Sequence, residues 1–181
     1  QCPEIPSEPD DSDFCKSIKL QSYPLIKVGD VLWTHMGDPE NRPVEPEWEF
    51  CTVAPEQNVS TKRFQECNWL QGLEGGIDSI HTSFLHRTFA GDRAGLGGFR
   101  TSATASELEV RLAPYGFTYA SLRPLGEGKG NYVRTYHYVM PHHQIRAIQG
   151  YTDDGGAAKF KMAGHMWVPI DDDNTTVWNW Y

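Results

Sequence analysis

With 181 residues, 39% of them hydrophobic and 12% aromatic, the chain is long enough for a substantial core and too apolar for disorder. A net charge of −8 excludes the basic face that nonspecific nucleic-acid binding requires, so no nucleic-acid partner is expected. No apolar run is long enough to cross a membrane, and no signal peptide is expected at the N-terminus. The cysteines at 2, 15, 51 and 67 form no Cys-x-x-Cys knuckle. We read them as free thiols of a cytoplasmic protein, with Cys67 a small core residue.

In chain order, residues 1–13 are rich in proline and acid and read as an extended loop. Cys15 to Leu20 suits a short strand or turn. Tyr23 to Thr34 reads as two short strands around Gly29-Asp30, followed by a partly exposed His35. Prolines 39, 43, 46 and 55 punctuate a linker over 38–58, and Val59 to Glu66 leads into the next element. From Cys67 to Arg87 the apolar residues Trp69, Leu70, Leu73, Ile77, Ile80, Phe84 and Leu85 recur at helical spacing, which predicts a mostly buried helix. Gly75-Gly76 interrupts it, as a kink or a close approach by another part of the structure. Glycines 91, 95, 97 and 98 mark a loop up to Ser106, with no nucleotide-binding pattern. From Glu107 the period changes to two. Strands follow at Leu108–Leu112, Phe117–Arg123, Tyr132–Met140, Ile145–Tyr151, Ala158–Val168 and Thr175–Trp180, with turns between. Successive strands with short turns give an antiparallel sheet, and one long helix against it gives an α+β domain.

The helical stretch carries the chemistry. His81 and His86 are five residues apart, which on a straight helix splays them by roughly 140°. They meet at one ion only if the helix ends, bends or bulges between them. Asp78 and His81, three apart, share a face. The spacing alone leaves open a shared metal or two unrelated polar residues, since the tight i, i+4 pair of His-Glu-x-x-His is absent.

Asn68-Trp69-x-Gln71-x-x-Glu74-Gly75-Gly76-x-Asp78-x-x-His81-x-x-Phe84-Leu85-His86 resembles the iron-site motif of Rieske non-haem iron oxygenases. More narrowly, it resembles the phthalate dioxygenase-type oxygenase subunits, which include aryl-ether O-demethylases. The resemblance implies a helix-grip catalytic domain, a twisted antiparallel sheet with covering helices, over 43–181. Residues 1–42 would be the C-terminal remnant of a Rieske domain with its linker. It implies His81 and His86 as ligands of a mononuclear Fe(II), Asp78 as an electron-transfer bridge to the neighbouring subunit, and Asn68 and Glu74 as local support. It also implies dioxygen, an aromatic substrate, an NADH-linked ferredoxin-reductase component and a homotrimer or other homo-oligomer. The Cys-x-His and Cys-x-x-His ligands of a [2Fe–2S] cluster do not occur in this chain, nor does an aspartate matching the family's third iron ligand. Both are expected outside it, so the segment by itself is expected to be inactive.

The reaction implied is hydroxylation of an aromatic, carboxylated ring. O-demethylation within the same chemistry is the alternative, and a non-enzymatic carrier of a hydrophobic ligand is a third reading. Arg111, on the strand with the cleanest alternation, is the expected carboxylate partner, ahead of Arg123 and Arg134. His142 and His143 are expected to be exposed, His165 to be a hydrogen-bonded core residue, and Asp171–Asp173 to be a solvated turn.

Overall fold

The computed structural model describes residues 5–86, 106–149 and 160–181. The side chains of 147–149, 160 and 161 are outside that description, as are Cys2, the 91–98 glycines and the expected turn at Asp153–Gly156. The chain divides into two compact units, 1–47 and 48–181.

In the first unit, α1 (Phe14–Ser17) is a single helical turn where a strand or turn was expected. The strands β1 (Leu25–Val28) and β2 (Val31–Thr34) pair antiparallel. The turn between them holds Gly29 at φ 59° and Asp30 at φ 61°. Two positive values in succession suit a tight hairpin and favour glycine and aspartate there.

The second unit is built on seven strands: β3 (Ser60–Gln65), β4 (Glu107–Ala113), β5 (Gly116–Pro124), β6 (Asn131–Val139), β7 (His143–Gln149), β8 (Phe160–Pro169) and β9 (Thr175–Trp180). Their order is β3-β9-β8-β7-β6-β5-β4, with every neighbour antiparallel. Strand β3 falls where the sequence shows only a lead-in to the helix. Its Ser-Thr-Lys-Arg-Phe-Gln sequence has no apolar alternation because it lies at an edge, mostly exposed. The linker likewise contains α2 (Glu49–Thr52) and two 3-10 turns. Strands β3 and β4 occupy opposite edges, and α3 (Trp69–Ile77), which lies between them in sequence, packs on β7 and β8.

The register assigns each side chain to a face. Directly paired residues share a side of the sheet, so Leu112, Phe117, Tyr138, Gln144, His165 and Asn179 form one row across it. Val110, Tyr119, Tyr136 and Arg146 form the next row on the same side. On this side Leu73 of α3 packs with Trp167 and Val177, flanked by Trp69, Ile77 and Tyr138. On the other side Trp180, Met166 and His143 are buried. There Phe50 of α2 stacks on Trp180 with ring centres 4.3 Å apart, and Trp48 on His143 at 5.2 Å. His143 is therefore not exposed as expected, and His142 is half-buried.

Glycines 72 and 76 are required by packing. A Cβ on either would lie within 2.5 Å of the Trp167 indole. Gly75 faces open space. The pair does not break α3, which ends only at Asp78. The close approach is what the glycines serve, and the predicted helix through Arg87 is shortened to Ile77.

Candidate functional site

Both ends of α3 are tied to the sheet. Asn68 caps the helix, its Oδ1 accepting the Leu70 N–H at 3.0 Å, while its Nδ2 donates to the Asp172 carbonyl at 2.9 Å. At the other end the last carbonyls have no partner within the helix. Gln144 Nε2 donates to the Gly76 carbonyl, and Tyr119 Oη donates to that of Ile77 at 2.7 Å. Burial raises the Tyr119 pKa, which keeps its hydroxyl protonated as a donor. Two residues on, Arg123 donates to the Ser79 carbonyl. Glu74 points outward and is exposed.

Asp78 turns the chain. Its Oδ1 accepts the N–H groups of Ile80 at 2.7 Å and His81 at 3.3 Å, which opens a 3-10 turn over His81–Ser83. Its Oδ2 lies 3.4 Å from His81 Nδ1. The His81 carbonyl accepts the N–H groups of Phe84 and Leu85, and the chain curls so that His86 comes back towards His81. The two rings are 5.2 Å apart, inclined at 49°. The 140° splay of a straight helix does not arise, because the helix has ended before the first histidine.

The donor set can be tested for fit to one ion. Metal–nitrogen bonds of about 2.1 Å place an ion about 3.2 Å from each ring centre, so at ordinary bond angles the centres stand about 4.6–5.3 Å apart. The observed 5.2 Å fits. Among the described residues, no group of three or more His, Cys, Asp or Glu side chains is placed to hold a metal. The pair is therefore spaced to share one metal ion as two of its ligands.

Asp78, His81, Thr82 and His86 border a cavity of about 320 Å³ between α3 and the sheet. Its sheet wall includes Arg134, Tyr136, Arg146, His165, Trp167 and Asn179. Arg134 lies over the Tyr136 ring, 5.1 Å from its centre. Arg146 donates to Gln144 Oε1 at 3.0 Å. Burial, then the neighbouring Arg134 charge, lowers the Arg146 pKa to about 10, still cationic at neutral pH. Among the described residues neither arginine has a carboxylate partner. His165 Nδ1 lies 2.6 Å from Asn179 Oδ1, so that nitrogen carries the proton and Nε2 is left as an acceptor. Burial, then Arg146, lowers its pKa to about 4. His165 is hydrogen-bonded as expected, and it also lines the cavity.

Arg111 does not belong to this site. It is exposed on edge strand β4 and pairs across to Thr118, on the face away from α3. Leu108, Val110 and Leu112 take the α3 side of that strand, so the alternation that drew attention to Arg111 also turns it away. Arg134 and Arg146 are the cavity arginines. Arg146 was missed because its neighbours Ile145 and Ala147 carry no polar signal. The marker available was its place two residues after Gln144, on the same face of the strand.

A family model described as LigXa C-terminal domain like matches residues 34–180. The phthalate 4,5-dioxygenase oxygenase subunit of Pseudomonas putida is 36% identical over 154 residues, which are 76% of this chain and 34% of that protein. The 3-chlorobenzoate-3,4-dioxygenase oxygenase subunit of Comamonas testosteroni is 27% identical over 188 residues, 97% of this chain and 39% of that protein. The chain thus spans a little over a third of the length of these relatives. The crystal structure of dicamba monooxygenase bound to dicamba shares the fold, with a TM-score of 0.61 at 16% identity over 87% of this chain and 48% of that one.

Proposed function

The chain belongs to the LigXa C-terminal domain-like family, and from that premise we propose that it is the iron-binding part of an oxygenase component that hydroxylates a carboxylated aromatic ring. One observation carries the reading: one cavity places a closely spaced histidine pair opposite two arginines that, among the described residues, lack acid partners.

His81 and His86 hold ferrous iron, with a carboxylate from outside this chain as third ligand. When bound, the iron supplies dioxygen activation beside the substrate. The protein's own part is positional. The Asp78 carboxylate, 3.4 Å from His81 Nδ1, would favour the proton on that nitrogen and leave Nε2 towards a metal. Arg134 and Arg146 draw the substrate carboxylate to the sheet wall by charge-assisted hydrogen bonds, which leaves the ring towards the histidines. Trp167 and Tyr136 give the ring apolar walls, and α3 narrows access of water.

The 1–42 segment is the tail of a Rieske domain whose [2Fe–2S] cluster is held elsewhere in the protein. Asp78 is half-exposed and links His81 to the cluster of a neighbouring subunit in a head-to-tail trimer. An NADH-linked reductase in the cytoplasm provides the electrons. The reaction balances as arene, dioxygen, NADH and a proton giving a dihydrodiol and NAD⁺.

The test is turnover of the intact protein with reductase and NADH on benzene carboxylates. Both atoms of labelled dioxygen should enter the ring, with one NADH consumed per product. Formaldehyde release from methoxybenzoates, without ring oxidation, would replace this reading by O-demethylation. Ligand binding with no dioxygen uptake in the iron-loaded protein would leave a carrier.

A further inference from the structure

Arg123 is wholly buried on β5, and among the described residues it has no carboxylate partner. Arginine stays cationic in proteins. Burying a charge without a countercharge opposes folding, and an apolar residue of similar size commonly serves stability as well or better. The position of this cation therefore calls for a reason other than packing.

Its hydrogen bonds supply one. Nη2 donates to the Ser79 carbonyl at 2.5 Å and to Thr82 Oγ1 at 3.1 Å, and Nη1 donates to Ser121 Oγ at 2.6 Å. Thr82 Oγ1 itself donates to the Ser79 carbonyl at 2.8 Å. Ser79 follows Asp78, and Thr82 follows His81. The guanidinium thus grips, from behind, both sides of the turn that presents His81. Both bonds to the turn come from Nη2 while Nη1 holds Ser121, so the planar guanidinium fork spans turn and sheet at a fixed angle, which a single lysine ammonium does not reproduce. Ser121 holds the fork from the sheet side.

We propose that Arg123 is the positioning residue of the histidine pair: anchored in the sheet, it sets the turn Asp78–Thr82 and thereby the place of His81 relative to Asp78 and His86. The inference rests on the iron reading above. Arg123 touches neither substrate nor metal and acts only through Ser79 and Thr82.

The test uses the intact iron-loaded protein with Arg123→Lys and Arg123→Met. Thermal unfolding is measured beside two readouts that need no turnover. These are the rate of iron loss to a chelator and the electron paramagnetic resonance signature of the ferrous site probed with nitric oxide. We expect iron loss to quicken roughly tenfold or more, with an altered signature, in both variants. Wild-type iron loss and signature would overturn the proposal, whatever the change in melting temperature. If neither variant folds, the double variant Thr82→Val with Ser121→Ala decides on the same readouts, and wild-type behaviour again overturns it. His81→Ala separates the two levels. If it loses iron while the Arg123 variants match wild type, only the clamp falls. If it keeps iron, the iron reading falls and takes the clamp with it.

Discussion

Two pairs of histidines sit on opposite sides of one sheet at nearly equal ring separations, 5.2 Å for His81 with His86 and 4.8 Å for His142 with His143. Proximity is therefore not what makes a site. His81 lies on a turn beside a carboxylate, faces a cavity, and has its approach fixed by Asp78. His143 is sealed against Trp48, with Trp180 nearby, and among the described residues neither of its ring nitrogens has a partner. Burial, then the nearby His142, lowers its pKa to about 4. Stacked under Trp48, with no carboxylate beside it among the described residues, the ring serves packing. The first pair borders a cavity; in the second, both ring nitrogens of His143 are buried.

The sharpest way to break this contrast is to exchange the losses. His81→Ala should abolish iron retention in the intact protein with the fold preserved, while His142→Ala should keep full iron, as metal analysis and circular dichroism would show. Iron loss from His142→Ala instead would reverse the assignment. Next in size, Asp78→Asn should retain iron yet slow electron arrival at the site by about 100-fold, read by stopped-flow oxidation of the cluster; wild-type rates would remove Asp78 from the path. Arg146→Gln should weaken binding of a benzene carboxylate by about 10- to 100-fold, with little change for a neutral aromatic of the same shape. Arg111→Gln, on the other face, should change neither affinity in calorimetry.

The smallest effect lies on the closed side. The folded pKa of His143, about 4, is below its ordinary 6.5. The unfolded chain therefore takes up a proton first as pH falls. Stability is complete above about pH 6.5, declines between 6.5 and 4, and levels off below, by about 3 kcal/mol for this residue. His143→Leu should leave stability at pH 7.5 within about 1 kcal/mol of wild type and flatten the decline. Denaturant unfolding across that pH range checks the slope; an unchanged slope would assign it to other groups.

Much was legible before any coordinates. Strands β4 to β9 announce themselves because one face of each antiparallel strand is apolar and the other is not, or because turn residues bound them. The tight turn at Gly29-Asp30 and the aspartate turn after Pro169 were readable for the same local reason. Strand β3 was not, since an edge strand exposed on both faces carries no alternation. His143 was misjudged because a polar residue after proline at a strand end looks solvent-facing, and only α2 folding over it supplies the cover.

The sequence by itself determined the chemistry available: an Asp-x-x-His-x4-His segment beside a glycine-rich helix, and an antiparallel sheet to carry it. Local spacing and residue type suffice for that. The tertiary structure alone decided which groups meet. It ended the helix at Asp78 by capturing the carbonyls of Gly76, Ile77 and Ser79 with Gln144, Tyr119 and Arg123. It also chose Arg134 and Arg146 over Arg111 as the cavity's cations. Those choices depend on register, which sets the face of every strand residue at once, and on contacts between residues more than 40 positions apart, which no local pattern records.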